Sequence, residues 1–581
     1  MVLQSSAYAA GSAFVVAVGS CAALLATPAF GQAAASRTAP ESLLPPAAAR
    51  SSEIVLPQTR TNEAPAGSAD IDVTVSSVAI SGGSPEFKPA IDAATAAITN
   101  KPVKVADLYA AASRIEAAYA RAGYVLTRVT LPPQHIGDGG KLTIMIIDGF
   151  VEAIDDSGVQ RHVRAAVHKR AAKLIGIHRL TLAQIERHVL LASEIPGVTM
   201  RSTLVPGSAV GATRLVLSAD WNPVSVAITA ENNLGTAYGN LAFSAQVSFN
   251  DLLGQGELLY AQATSGRDLG HAFHGAPLRR IVGGGAVLPI GGNGLALSSE
   301  YVHVDTNPAT APGATAVRSR FERVALRLQY PLIHSQSRSL DLVGGIDLVS
   351  ESSQASAFAQ RLNQDRLRVA VGQIRWSGRI DGKTALASEL TFNQGLSGLG
   401  ARTLDDATAS GIPLSRLGAT PGFSKLGAKL RIDRQLGQGF AVAGVVRGQT
   451  SFSGALPASA MFSLDGAESL SGFVQGSLSV DRGIVLRGEL TRTFALGPKR
   501  AAAITPYGFG AYGTGKLSQP TTLELAAATR NAWSFGAGAR LVVRPGPARI
   551  VSFGGIEISR NHDSTAPRDT TRVTASLTIR V

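Results

Sequence analysis

The stretch Gly123–Ile154, GYVLTRVTLPPQHIGDGGKLTIMIIDGFVEAI, decides the fold. Tyr124–Leu131 is rich in Val, Leu and Thr and reads as a strand. Pro132-Pro133 ends it, since proline has no N–H for a ladder. Asp138-Gly139-Gly140 supplies a turn, because glycine accepts positive φ without steric cost. Leu142–Ile147 is the return strand, with Leu142, Ile144 and Ile146 on one face and Thr143 on the other. Upstream, Leu108, Ala111, Ile115, Tyr119 and Ala122 recur at helical spacing, so Asp107–Ala122 reads as a helix. Gly123 stands where a helix-terminating glycine belongs.

This helix–strand–strand unit resembles the POTRA domain of two-partner secretion transporters, the outer-membrane proteins that export hemolysins and filamentous adhesins. The resemblance rests on the aromatic-led strand, Pro-Pro-Gln and the following glycines, in that order. It implies that a secreted partner adds as a strand along this unit, with Tyr124, Val125, Thr127, Val129 and Gln134 as the client-binding residues. On this stretch alone, an unrelated small α+β domain is the alternative.

A chain of 581 residues exceeds one domain. Gly is abundant, and charged residues are only 16%, a strand-and-turn composition. Residues 1–31 read as a signal peptide, with Ala7–Ala29 apolar and a small-residue site at Ala29-Phe30-Gly31. No Lys or Arg precedes the apolar run, which leaves a signal anchor as the alternative. The sole cysteine, Cys21, lies there, so the mature chain is expected to be free of thiols. Residues 32–69 are rich in Ala, Pro, Ser and Thr and read as a linker or plug region. The resembled family can carry a plug helix here. Glu41–Arg50 is the place for it, but Pro45-Pro46 interrupts it, and a flexible tether is expected.

Residues 70–154 form POTRA-like domain 1, with Ile71–Ile80 as opening strand and Phe87–Ile98 as first helix. Residues 155–220 form POTRA-like domain 2, with helices over Val159–Ile175 and Leu180–Ser193 and strands over Gly197–Leu204 and Ala212–Ser218. Its first helix and exit carry Arg161, Arg164, His168, Lys169, Arg170, Lys173, His178 and Arg179. Three readings stand: a solvated face, a docking surface for client or lipid headgroups, and nucleic-acid binding. The last has no recognition motif, and no nucleic-acid partner is expected. The histidines lack ligand spacing, so no metal is expected.

From residue 221 onward the pattern changes. Leu241, Phe243, Ala245, Val247 and Phe249 alternate with small and polar residues, and Val324, Leu326, Leu328 and Tyr330 alternate with Arg323, Ala325, Arg327 and Gln329. Such alternation suits either a soluble sandwich or an outer-membrane barrel. The export signal and the POTRA-like units select the barrel, with lipid against the apolar face. Arginine on that face would cost about 2–4 kcal/mol at mid-depth. Arg323, Arg327 and Arg580 are therefore assigned to the lumen, which favours anions. Allowing roughly 22 residues for each strand and connection, residues 221–581 supply about 16 strands. The fold class is periplasmic α+β POTRA-like domains followed by a transmembrane antiparallel β-barrel in the outer membrane. The net charge of +13 then belongs in part to the lumen.

The resemblance extends into this region. Glu231–Leu259, ENNLGTAYGNLAFSAQVSFNDLLGQGELL, is similar to the family's first hairpin. Gly448–Leu490 is similar to its sixth extracellular loop, which folds back into the lumen; a mobile external loop is the alternative. The implied inward tip comprises Asp465, Gly466, Ser471, Gly472 and Phe473. The family tip reads Arg-Gly-Tyr, matched here by Ser471-Gly472-Phe473. The facing family strand reads Phe-x-Asp-x-Gly, matched by Ala511-Tyr512-Gly513-Thr514-Gly515. Gly513 and Gly515 are thus the wall opposite the tip, and both charged partners of the family motif are missing.

The implied function is outer-membrane translocation of a hemolysin- or adhesin-like partner, unfolded in the periplasm. An assembly factor that inserts other barrels is the second reading. Lipid and, during biogenesis, the barrel assembly machinery are the further partners. No Gly-x-Ser-x-Gly elbow, His-Glu-x-x-His or Walker A pattern occurs, so neither an enzyme nor a cofactor is expected.

Overall fold

A computed structural model describes residues 34–46, 54–55, 63–137, 139–267, 275, 277–312, 314–497, 501–522, 524–544 and 550–581. The expected signal peptide and its cleavage site lie outside these residues, as does Asp138 of the glycine turn.

A two-residue strand, β1 (Ile54–Val55), precedes the first α+β unit. That unit contains β2 (Asp72–Ser81), α1 (Lys88–Ala96), β3 (Pro102–Lys104), α2 (Val105–Arg121), β4 (Arg128–Thr130) and β5 (Gly140–Ile147), with sheet order β3-β2-β5-β4. The apolar stripe of α2, from Leu108 to Tyr119, is buried on this sheet against Leu142, Ile144 and Ile146. Asp107 accepts from the Lys104 amide at 2.9 Å and starts the helix. Gly123, at φ +96°, ends it.

Two expectations are corrected here. The strand expected over Tyr124–Leu131 is only Arg128–Thr130, because residues before it form the turn joining the two α+β units. Val125 and Leu126 pack into the core of the second unit, and the Leu182 amide donates to Gly123 O at 2.8 Å. The boundary also moves. β6 (Phe150–Val159) pairs with a strand of the second unit, so Phe150–Ile154 belongs there.

The second unit continues with α3 (Arg161–Ala171), α4 (Leu182–Ser193), β7 (Val198–Pro206) and β8 (Ala212–Trp221). Its sheet order is β1-β7-β8-β6. Alternate residues of β7 and β8, such as Met200, Leu204, Leu215 and Leu217, face inward onto Val163, Val167, Ile185 and Val189.

The barrel opens with β9 (Val224–Glu231), β10 (Ala242–Asn250), β11 (Leu258–Ser265), β12 (Arg279–Ile290) and β13 (Leu295–Thr306). It continues through β14 (Val317–His334), β15 (Arg338–Ala355), β16 (Gln360–Arg379), β17 (Thr384–Gly395), β18 (Ser424–Gly437) and β19 (Phe440–Ser451). A short helix, α5 (Leu404–Ser410), lies between β17 and β18. The small hairpin β20 (Phe462–Ser463) with β21 (Ser479–Val480) pairs only with itself. The wall is completed by β22 (Arg482–Arg492) with its continuation β23 (Phe494–Leu496), then β24 (Ala502–Lys516), β25 (Thr529–Val543), β26 (Val551–Asp563) and β27 (Thr570–Arg580). Strand β27 pairs back onto β9 and closes a 16-stranded antiparallel barrel.

Closure removes every sheet edge, the condition for strands to cross a bilayer. Val324, Leu326, Leu328 and Tyr330 of β14 are exposed outward, whereas Ser319, Phe321 and Ala325 are buried inward. The same parity puts Ile556 and Ile558 outside and Glu557, Ser559 and Asn561 inside on β26. An apolar outer surface and a polar lumen are the two faces a membrane barrel requires. None of the described helices is long and apolar enough to cross a membrane.

Candidate functional site in the barrel lumen

Residues 34–46 lie inside the barrel. They form a 3-10 turn over Ala35–Thr38 and then run extended, because Pro40, Pro45 and Pro46 bar an α-helix. The flexible tether expected here is thus corrected for these residues: side chains of the wall hold the segment at intervals. Glu351 of β15 accepts from the Ser36 amide and hydroxyl, each at 2.9 Å. Arg279 of β12 donates to Thr38 O at 2.8 Å. Glu300 of β13 accepts from Ser42 Oγ and the Leu43 amide, each at 2.7 Å, and Gln246 donates to Leu43 O at 2.7 Å. Arg447 of β19 pairs with Glu41 at 2.9 Å. The Leu43 side chain fits against Gly283, where any Cβ would come within 2.5 Å of it. No ladder joins this segment to the wall.

The connection between β19 and β22, residues 452–481, folds back into the lumen. Phe462, Leu464, Leu470, Leu478 and Val480 pack against Val485, Ala511 and Ala532 of the wall. Asp465 organises the bend by accepting from the Gly476 and Leu478 amides at 3.0 and 2.8 Å and from Ser463 Oγ. Gly466, at φ +133°, allows the chain to turn there. Phe473 packs beside this apolar cluster, and Gly472 sits so close to Ser559 and Asn561 that a Cβ would overlap them. Buried Asp481 clamps the loop root, taking Arg416 Nη1 at 2.6 Å and the Leu456 and Ser518 amides at 2.8 and 2.7 Å.

The tip meets a charged cluster that sequence comparison did not reveal. Ser471 Oγ donates to Glu557 at 2.5 Å and accepts from Arg487 Nη1 at 2.6 Å. Arg487 also pairs with Glu557 at 2.9 Å and Glu489 at 2.8 Å, and its guanidinium lies 3.8 Å from the Phe509 ring centroid. Tyr507 donates to Glu557 at 2.9 Å, and Arg540 takes Glu489 at 2.8 Å. The arginine and the acid are thus both supplied by the wall, from β22 and β26, with a neutral serine from the loop between them. Gly513 is not opposite Ser471. A Cβ on it would lie 3.0 Å from Leu470 Cδ1, and Gly515 lies under Val480. Arg487 and Glu557 each occupy an inward position of an alternating strand, the one sequence signal that marks them.

Of the lumen arginines, Arg323 pairs with Glu300 at 2.8 Å and Arg327 with Asp347 at 2.6 Å. Arg580 lies 6.0 Å from the Phe553 ring, with no acidic partner among the described ion pairs.

The five candidate client-binding residues are tied into the fold. Val129 and Thr127 are buried, and the Val129 amide is taken by Glu116 at 3.0 Å. The Tyr124 ring packs edge-on to Phe87 and Tyr119, with Arg179 of the second unit 5.1 Å from its centroid. Gln134 uses its amide group on Thr143 N and O, at 2.7 and 2.8 Å, beside the end of β4. On this strand the Val129 amide is thus already satisfied by a side chain.

The second unit is seated on the periplasmic turns of the barrel. His162 stacks on Trp221 and bonds Asp251 O at 2.6 Å, while Arg187 donates to Asn293 O at 2.9 Å. Part of the basic helix is thus an internal joint: Arg170 is buried beside the Asp251–Glu257 turn. Burial lowers its pKa, with Asp251 opposing. Burial likewise raises the Asp251 carboxyl above the ordinary carboxylate range, although the Gly256 amide donates to it. No metal-binding cluster occurs among the described residues.

A family model for the haemolysin secretion/activation protein ShlB/FhaC/HecB matches residues 211–541, and one for the ShlB-type POTRA domain matches residues 73–149. The chain belongs to this family. It is an outer-membrane β-barrel transporter of the two-partner secretion type, with N-terminal POTRA domains. Among curated proteins, none matches it. Among solved structures, CdiB from Escherichia coli superposes with a TM-score of 0.71 at 18% identity, covering 90% of this chain and 94% of that one. CdiB from Acinetobacter baumannii gives 0.59 at 14% identity, covering 90% and 92%. These neighbours share the transporter's fold.

Proposed function

We propose that this transporter captures an unfolded secreted partner in the periplasm at its POTRA units and passes it outward through the barrel. One observation carries this reading. The lumen is filled by two chain segments, residues 34–46 and 452–481, that are held by side chains and not by ladders to the wall. Both can leave without breaking the barrel's own hydrogen bonds, and together they occupy a path for an extended polypeptide. Capture needs an open strand edge, where main-chain bonds give affinity with little sequence demand. Direction would come from folding of the client outside.

The test compares full-length transporter with a deletion of residues 70–220. A client is sought as a large repeat protein encoded beside the transporter and followed in culture medium. The deletion is expected to abolish its release while heat-modifiable barrel remains in the outer membrane. Undiminished release by the deletion would remove capture from the POTRA units.

A further inference from the structure

The open edge of the second POTRA unit is already in use. Strand β1 lies parallel to β7, with Ile54 opposite Ser202 and Val55 opposite Thr203. Without β1, β7 would be the edge of its sheet, because β8 covers only its other side. Two of nine β7 residues are paired on this side, and no other strand pairs there among the described residues. Two other POTRA edges carry contacts of their own. On β4, the Val129 amide is taken by Glu116, and Gln134 occupies Thr143 beside it. On β6, Ile175 bridges to Val151.

The same linker leads back into the barrel. Residues 47–53 alone separate Ile54 from Pro46, the last described residue of the lumen segment. Eight Cα–Cα steps extend to about 27 Å at most, so a displacement that carries β1 beyond that reach of Pro46 pulls on residues 34–46.

We propose that β1 is a self-supplied strand that guards the β7 edge, and that an extended segment of the exported polypeptide displaces it and thereby frees the lumen segment. This rests on the transporter reading above. A two-residue parallel ladder holds few bonds, and parallel pairing is weaker per residue than antiparallel. A longer strand on β7 makes more main-chain bonds and wins the edge. Meanwhile the resting chain keeps an exposed strand edge from pairing with the wrong partner. Docking and unplugging become one event, because the strand on the docking edge and the plug are neighbours on one stretch of chain.

The experiment uses the full-length protein, whose mature part is expected to lack cysteine. Val55→Cys with Thr203→Cys places two thiols at directly paired positions, within the Cα separation that a disulfide needs. Mild oxidation of outer membranes should protect both thiols from maleimide labelling. In planar bilayers with KCl as the probe ion, the oxidised variant should stay closed and reopen to wild-type activity on reduction. Ile54→Pro with Val55→Pro, which removes both strand amides, should raise the time spent in open-channel states severalfold. Thiols that stay reactive after oxidation, or a proline variant as quiet as wild type, would overturn the proposal. These arms need no client, so they stand apart from the transporter reading, which fails only if wild-type protein releases no partner.

Discussion

At the scale of single residues, the contact under the loop tip is decided by Arg487 and Glu557. Their side chains are only 2% and 8% exposed. Removing one member of a buried ion pair leaves an uncompensated charge, at a cost of about 3–5 kcal/mol. Arg487→Ala should therefore lower the unfolding midpoint of the isolated barrel sharply. Adding Glu557→Gln to it should recover part of the loss, since the orphaned charge is then gone. Ser471→Ala, which removes one neutral hydroxyl, should cost far less, about 1 kcal/mol. A double-mutant cycle on heat-induced unfolding reads all three. Strict additivity of Arg487→Ala and Glu557→Gln would show that the two do not interact. The pair was not legible from the family motif, which places an arginine on the loop and an aspartate on β24. Here Ser471 and Gly513 occupy those motif positions, and the charge sits two strands and sixteen residues away, on side chains that look like ordinary inward members of alternating strands.

At the scale of elements, periodic segments were legible and aperiodic ones were not. Helix α2 follows from its apolar spacing, and the barrel strands follow from alternation, because burial on one face imposes a period that the sequence must carry. The strand at Tyr124 does not obey its composition, because Val125 and Leu126 are drawn into the neighbouring unit. The lumen segment 34–46 has no period at all. Its position is set by Glu300, Glu351, Arg279 and Gln246, all more than two hundred residues away in sequence. Its Pro-rich composition reads as a tether until those partners are seen. This element makes a direct prediction. Deleting residues 34–46 should leave the barrel folded and heat-modifiable, since no ladder is lost, and should raise mean conductance in planar bilayers. Unchanged conductance would mean that the loop at residues 452–481 alone seals the lumen.

At the scale of the whole molecule, a net charge of +13 invites the expectation of an anion-selective pore. The lumen tempers it, since Arg323 and Arg327 each face a carboxylate. Paired charges cancel over distances longer than their separation, and salt screens the remainder within about 8–10 Å. The open pore should accordingly show only weak anion preference in a KCl gradient. Asp347→Asn, which unpairs Arg327, should shift the reversal potential toward anions. A shift toward cations would place Arg327 outside the conducting path. The ladder that closes this barrel has a separate consequence, for the order in which the protein comes into being. Val226 and Val581 exchange both main-chain hydrogen bonds, at 2.9 and 3.0 Å, and so join the two ends of the barrel sequence. Contacts that distant cannot form until nearly every intervening hairpin exists, and the entropy of bringing them together is met late. Through most of its biogenesis the chain is an open curved sheet with two unsatisfied edges, β9 and β27. Its slowest step is then the meeting of those edges, and mutations along that seam should delay maturation more than they weaken the finished protein.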